Sequence, residues 1–427
     1  MANSPPTSAS NAITVENQSS ESKPFTNVYR SDGINVVLFV LVRLIQILQL
    51  VYVMSDSPVQ PSPEKLSQTQ QALCTLRTRI VRGEFEPGQR LPSFGQLESQ
   101  LGVGRTVLQQ AITMLKDDGF VTSLPRQGLY IAQSPPHLGR YAIVFPCFPD
   151  HRQWSGFHGA TIAEARRMAD EKSQIKFEYY QGVNDERRGG VVLDSLLTEV
   201  TAQRLAGLIL LPETHDLAAH PDVLASGVPM LMIDGERGMT PRPQICTDIP
   251  MLFDRSLAWL GDRGRKRIAM VYMADTFPWL TPKHFDNAGT AYHKAWVQRI
   301  GRSHPQTVSE VVHLLMDYPK SRRPDGLFIA DDNLIQRSLS SLLELNLEVG
   351  HDLDVIAHCN WPHPVQSKLP MQRIGFHAGQ LLEACLDVFP TITPEKQDER
   401  VLTIPALFES EVSQMDWKQP AVAVNMV

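Results

Sequence analysis

Apolar residues recur at helical spacing in three places between positions 66 and 119. Leu73, Leu76 and Ile80 share one face of a helix over 66–82. Leu97 and Leu101 sit four apart in a second, short helix, with Ser93 at its N-cap. Leu108, Ala111, Ile112 and Leu115 line a third, which starts at Arg105 and ends at Gly119. Gly102-Val103-Gly104 separates the second from the third, with Val103 placed to plug the gap between them. Residues 120–122 and 129–131 then read as strands around Pro125-Arg126-Gln127-Gly128.

After residue 140 the pattern changes to short continuous apolar runs alternating with helical stretches. Strands are expected at 141–145, 175–180, 207–211 and 229–233, with helices at 157–170, 188–203 and 220–226. The alternation then restarts. A helix is expected at 251–261, a strand at 268–273, a helix at 284–300, a strand at 326–330, a helix at 334–346 and a strand at 355–358. Buried strands alternating with helices imply parallel sheets covered on both faces. Two successive sets imply two lobes, each with its own sheet. The fold class is therefore α/β: a small helical domain with a two-stranded wing, followed by a two-lobed Rossmann-like part.

Composition sharpens this outline. The chain has 427 residues, a formal net charge of −6 and 42% hydrophobic residues, ordinary for a globular protein. Between Glu64 and Ala132 eight basic residues stand against six acidic ones, a weak positive bias on an acidic chain. Cys74, Cys147, Cys246, Cys359 and Cys385 are widely spaced, as expected of reduced thiols in a cytoplasm. No metal site and no cofactor is expected. A Gly-rich phosphate loop, a GxSxG elbow and an HExxH helix are all missing, so enzymatic readings fare poorly.

The N-terminal 63 residues stand apart. Residues 1–33 have the composition of a disordered segment. Residues 33–54 form an apolar run interrupted by Arg43, Gln46 and Gln49. Three readings remain open for it: a start extended beyond a native Met54, a membrane or interfacial anchor, or a helix packed on the rest of the protein. The boundaries expected are 1–63 for this extension, 64–133 for the helical domain, 134–140 for a linker, 141–412 for the two-lobed part and 413–427 for a tail.

Two helices across a tight turn, the second with a polar outer face, form the helix-turn-helix arrangement that seats its second helix in the major groove of DNA. The string Gly83, Pro87-Gly88, Leu91-Pro92-Ser93, Leu97, Leu101-Gly102-Val103, Arg105-Thr106, Ala111, Leu115, Gly119, Gly128 and Tyr130-Ile131 resembles the winged-helix domain of the GntR family of bacterial transcription factors. The resemblance implies operator DNA as partner. It places Ser93, Arg105, Thr106, Gln109, Gln110, Arg126, Gln127 and Gly128 as candidate DNA contacts. Phe94, Gly95, Gly104, Gln109, Arg126 and Gln127 depart from the residues usual in the family. Fewer arginines imply fewer phosphate contacts and a shallower salt dependence.

A second resemblance covers 140–412. Arg204-Leu205-Ala206-Gly207-Leu208-Ile209-Leu210, Gly227-Val228-Pro229-Met230, Ile233-Asp234, Gly264-Arg265-Lys266-Arg267-Ile268-Ala269, Pro324 through Asp332 and Asp352 through Ile356 resemble the effector-binding domain of the LacI/GalR family. That domain is similar to periplasmic sugar-binding proteins. It implies a cleft between the lobes at the carboxyl ends of the strands. The candidate effector contacts are Phe148, Trp154, Phe157, Asp248, Phe277, Trp279, Asp332, Cys359 and Asn360, with Trp361 beside them. Aromatic faces with carboxylates suit a carbohydrate. For Asp248 and Asp332 a helix-capping role stands as the alternative. The Ala357-His358-Cys359-Asn360 stretch lacks a carboxylate customary in that family.

The expectation is a cytoplasmic, homodimeric, non-enzymatic transcription regulator, a repressor in the first instance, governed by a small-molecule effector. The alternatives are a regulator whose second part serves only dimerisation or protein contacts, and a membrane-tethered solute-binding protein.

Overall fold

The computed structural model describes residues 66–235, 242–273, 281–392 and 400–414. The apolar run at 33–54 lies outside them, and no helix among the described residues is long and apolar enough to cross a membrane.

Three helices open the described chain: α1 (Gln68–Val81), α2 (Phe94–Leu101) and α3 (Arg105–Asp117). Ser67 and Ser93 each accept from the backbone N–H three residues on, and Gln70 and Gln96 reach back to the capping residue's own N–H. Gly102 ends α2 at φ 65°, a left-handed position where a side chain would be strained. The wing is an antiparallel hairpin of β1 (Val121–Leu124) and β2 (Gly128–Ile131). Leu76, Ile80, Leu97, Leu108, Leu115, Phe120 and Ile131 are buried in one core, and Val103 packs against it between the helices.

The rest is a pair of α/β lobes. The first has a six-stranded, all-parallel sheet in the order β13-β7-β6-β5-β3-β4, where β3 is Arg140–Phe145, β4 Lys176–Gln181, β5 Gly207–Leu210, β6 Met230–Ile233, β7 Gln244–Thr247 and β13 Val401–Ile404. The second has the order β14-β12-β11-β10-β8-β9, with β8 Ile268–Met273, β9 Val297–Ile300, β10 Gly326–Ile329, β11 Asp354–Trp361, β12 Gln372–His377 and the antiparallel edge strand β14 Leu407–Phe408. Each sheet separates two apolar clusters, one per face. α4 (Gly156–Glu171) and α11 (Ala378–Val388) cover one face of the first sheet.

The chain passes between lobes three times. Thr247 ends β7 in the first lobe, and α7 (Ile249–Asp262) packs in the second. β12 in the second lobe leads into α11 in the first. β13 in the first leads into β14 in the second. These three strands of backbone form the connection across which the lobes can move.

Residues 284–300 do not form the single helix their apolar spacing suggests. α8 (Pro282–Asn287) ends before Gly289, which sits at φ 62°, and β9 follows as an edge strand parallel to β8. The left-handed glycine breaks the helix, and Val297 to Ile300 gain ladder hydrogen bonds instead. A helix at Val308–Met316, the strand β12 and the helix α11 lie beyond the elements expected from the sequence.

Candidate DNA surface and interlobe cleft

The exposed face of α3 carries the expected polar residues. Arg105 begins the helix with its side chain 72% exposed, 3.8 Å from Glu98 and over the Phe94 ring at 5.2 Å. Thr106 and Gln109 are exposed, and Gln110 accepts from the Thr69 hydroxyl at 3.0 Å. Ser93 stands at the head of α2 with its hydroxyl engaged by Gln96, so capping already occupies it. Arg126 and Gly128 turn the exposed wing tip at φ 62° and 114°, with Gln127 between them. The exposed Arg90, unpicked from sequence, bridges to Tyr130 on β2 and so stands at the wing's base. Arg105, Arg126 and Arg90 are three exposed cations of this domain.

Ion pairs join the helical domain to the first lobe. Asp118, capping the C-terminus of α3, meets Arg77 of α1 at 2.8 Å and Arg204 of the first lobe at 2.7 Å. Arg204 continues to Glu199 at 2.7 Å, and Glu199 to Arg140 at 2.9 Å, which also holds Glu178 at 3.0 Å. Three arginines and three carboxylates alternate along this chain. Beside it Phe120 stacks on His137 at 5.6 Å, and burial pushes the His137 imidazole down to about 4. The end of the recognition helix is therefore tied directly to the lobe carrying the cleft.

The cleft opens at the carboxyl ends of both sheets, where crevices of parallel sheets lie. It encloses a cavity of about 210 Å³. From the first lobe come Trp154, Phe157 and His158 at the head of α4, with Glu213, Asp234 and Thr247 after β5, after β6 and at the end of β7. From the second come Arg302, Asp331, Asp332, His358, Asn360 and Phe376. Trp154 stacks on Phe145 at 5.6 Å and leans on His158 at 5.0 Å, which holds its ring in the wall.

Asp332 is buried and accepts from Asn360 Nδ2 at 2.7 Å. Asp331 accepts from the backbone N–H of Asn333 at 2.9 Å and from its amide at 2.8 Å. Burial pushes both carboxyls above the usual carboxylate range, and Asp332 adds like-charge repulsion on Asp331. Asp234 accepts from Thr247 N and Oγ1 at 2.6 and 2.9 Å. Burial lowers His158 and His358 to about 4. The lobes touch around the cavity: Gly156 N–H donates to Asn333 at 3.4 Å, and Arg302 pairs with Glu213. A Cβ at Gly156 would collide with the Asp332 carboxylate, so this approach requires glycine.

Of the candidate effector residues, the cavity gathers Trp154, Phe157, Asp332 and Asn360. Phe148 lies outside its lining, beneath Arg188 at 3.6 Å and against Gly182. Asp248 accepts from Met251 N at 2.9 Å and caps α7, while its neighbours Thr247 and Ile249 line the cavity. Cys359 and Trp361 are buried on the opposite side of β11 with Leu407, as strand alternation requires when His358 and Asn360 face the cleft. Phe277 and Trp279 lie outside the described residues.

Glu213, Asp234, Asp331, His158, His358 and Arg302 line the cavity without having been chosen from sequence. The acidic doublet after β10 and the Ile233-Asp234 phrase were visible signals. Arg302 was hidden because the strand before it read as helix. Among the described residues no group of three or more His, Cys, Asp or Glu side chains could hold a metal ion, and none of the five cysteines is in a disulfide.

Residues 68–131 match the family model of bacterial regulatory proteins, gntR family. That bears out the winged-helix resemblance over this segment. The chain is 43% identical over 53 residues to the uncharacterized HTH-type transcriptional regulator YieP of Escherichia coli K12, covering 12% of this chain and 23% of that protein. It is 33% identical over 58 residues to the mannosyl-D-glycerate transport/metabolism system repressor MngR of the same organism, covering 14% and 24%. The chain thus spans about a quarter of the length of these curated relatives. Among solved structures it is similar to a LacI family transcriptional regulator from Lactobacillus casei with bound sucrose, at 15% identity and TM-score 0.44, covering 64% of this chain and 98% of that one. It is also similar to the transcription regulator CcpA of Lactococcus lactis, at 13% identity and TM-score 0.45, covering 63% and 97%.

Proposed function

We propose that the chain is a DNA-binding transcription regulator whose interlobe cleft takes a small effector. The observation that carries this reading is the Asp118 junction: one carboxylate at the end of the recognition helix is bonded both to α1 and to the cleft-bearing lobe. A shift of that lobe on effector binding would then be felt at α3. Operator affinity changes only by the effector's differential affinity for the two lobe arrangements, typically ~1–3 kcal/mol of coupling. Trp154 and Phe157 supply apolar ring faces, and the carboxylates supply acceptors, as a hydroxylated effector needs.

A homodimer on two half-sites follows from the small reading surface of one α3. Val191 is 76% exposed on α5 (Gly189–Thr201) and Leu224 48% exposed on α6 (Pro221–Ser226), on the first lobe. Such apolar exposure suits a partner copy.

The test begins with selection of bound fragments from genomic DNA, followed by titration. Arg105→Ala should weaken the selected site by about 1–3 kcal/mol if Arg105 reads a base. Gln109→Ala should relax base preference more than it lowers non-specific affinity. Unchanged binding by both variants would show that α3 is not the reading helix. Light scattering of the purified chain as a monomer would remove the dimer.

A further inference from the structure

Three carboxylates are buried among the described residues: Glu164, Asp354 and Asp332. Glu164 pairs with Arg167 at 2.9 Å and His363 at 3.2 Å. Asp354 pairs with Arg263 at 3.0 Å and Arg265 at 2.7 Å. Asp332, 6% exposed, has neutral Asn360 instead and no cation among the described residues. Its neighbour Asp331 has Asn333, its own helical turn and the nearby His358 imidazole, which burial keeps neutral. Buried carboxylates normally carry a counter-charge, because an unpaired one bears the full loss of hydration.

The surroundings do not supply that charge. Arg302 is engaged by Glu213. The lining holds four carboxylates, Glu213, Asp234, Asp331 and Asp332, against two arginines, Arg152 and Arg302. Its two histidines, His158 and His358, are held neutral by burial, so the lining is net negative. Independently, His358 Nδ1 is buried in this wall without a hydrogen-bond partner.

We propose that the cavity takes a small cationic ligand, its protonated amine seated against the Asp331–Asp332 pair and its remaining body against Trp154 and Phe157. This rests on the reading of the cleft as an effector site. The cavity of about 210 Å³ suits an amino sugar or a short diamine rather than a peptide. The amine would relieve both the desolvation of Asp332 and the repulsion within the doublet.

Matched probe pairs test this with the full chain: D-glucosamine against D-glucose, D-galactosamine against D-galactose, and putrescine against 1,4-butanediol. Thermal shift and calorimetry are run at pH 7.5 and pH 5. At least one amine should bind 30-fold or more tighter than its neutral counterpart. Its affinity should fall at least tenfold at pH 5, as the doublet takes up protons. Asp331→Asn and Asp332→Asn, each checked for a cooperative melt, should lose tenfold or more in amine affinity. Asp331→Asn is the safeguard if Asp332→Asn fails to fold. Neutral members binding equally or more tightly, with the affinity lost in Trp154→Ala, would overturn the amine while leaving the effector cleft standing. No binding by any member would overturn both. Amine binding unchanged in both folded Asp variants would overturn the site.

Discussion

The junction between helical domain and first lobe, and the cleft between lobes, both concentrate charge in partly dry surroundings. At the junction Asp118, Glu199 and Glu178 alternate with Arg77, Arg204 and Arg140, and every carboxylate has at least one arginine within 3.0 Å. In the cleft Asp331 and Asp332 face each other's charge with amides for partners. One arrangement is complete within the chain and holds two bodies in register. The other is left incomplete, at a cost to the unliganded fold, and a binding partner could remove that cost. Paired charge marks a joint, and unpaired buried charge marks a site.

The largest effect should come from breaking the joint. Asp118 is 15% exposed and Arg77 and Arg204 are 11% and 21%, so solvent compensates little. Asp118→Asn leaves Arg77 without its carboxylate and Arg204 with Glu199 alone, and should cost about 3 kcal/mol. The denaturant midpoint of the purified variant measures this. A cost below that of an ordinary surface substitution would mean that the two parts are held by something else.

How much of this was legible beforehand differs between the regions for physical reasons. The winged helix is built from local signals: Ser93 three residues before Gln96, Gly102 at the turn and the apolar set of α3 all lie within 25 residues of one another. The lobes were legible as alternation, and the sheets confirm it. The cleft was not, because its lining comes from loops far apart in sequence. Glu213 and Arg302 are 89 residues apart and meet only through folding. Strand parity separates Asn360 from Cys359, and parity cannot be assigned until β11 has a face. Asp248 carries the same side chain as Asp332 but caps α7, since local backbone geometry decides between cap and cleft.

Acidification acts on the two kinds of buried group in opposite directions. His158 and His377 are buried, with pKa pushed down to about 4 by burial. The unfolded chain therefore binds protons from about pH 6.5 downward while the folded chain does not. The stability these histidines contribute is present above that range and is lost as pH falls through it. The Asp331–Asp332 pair, raised by burial, takes up protons in the folded state first and gains stability over part of the same window. With His137 and His358 also depressed, the histidines prevail. Lowering the pH from 7 to 5 should therefore lower the thermal midpoint. A thermal midpoint that rises over this range would mean that the cleft acids dominate.

Neutralising one cleft acid should do the reverse of breaking the joint. Asp331→Asn removes like charge beside Asp332 and should stabilise the unliganded protein by about 1 kcal/mol at pH 7.5. The gain should vanish near pH 4, where the native carboxyls are already protonated. Melting curves at the two pH values decide it. Destabilisation at pH 7.5 would show that the carboxylate is needed as the cap of the turn at Asn333.

The smallest effect belongs to an ion pair that joins the two lobes beside the cavity. Glu213 and Arg302 belong to different lobes, and their side chains are 43% and 36% exposed. Water competes for both ends, and holding two long side chains in one geometry costs entropy, so the pair is worth about 0–1 kcal/mol. Arg302→Ala should therefore leave the denaturant midpoint within about 0.5 kcal/mol of the parent protein, against about 3 for Asp118→Asn. Its effect should lie in the balance between open and closed lobes, read as a change in the radius of gyration by X-ray scattering. If Arg302→Ala costs as much stability as Asp118→Asn, then burial is not what separates the two sets of charges, and the joint and the cleft differ only in how many partners each carboxylate has.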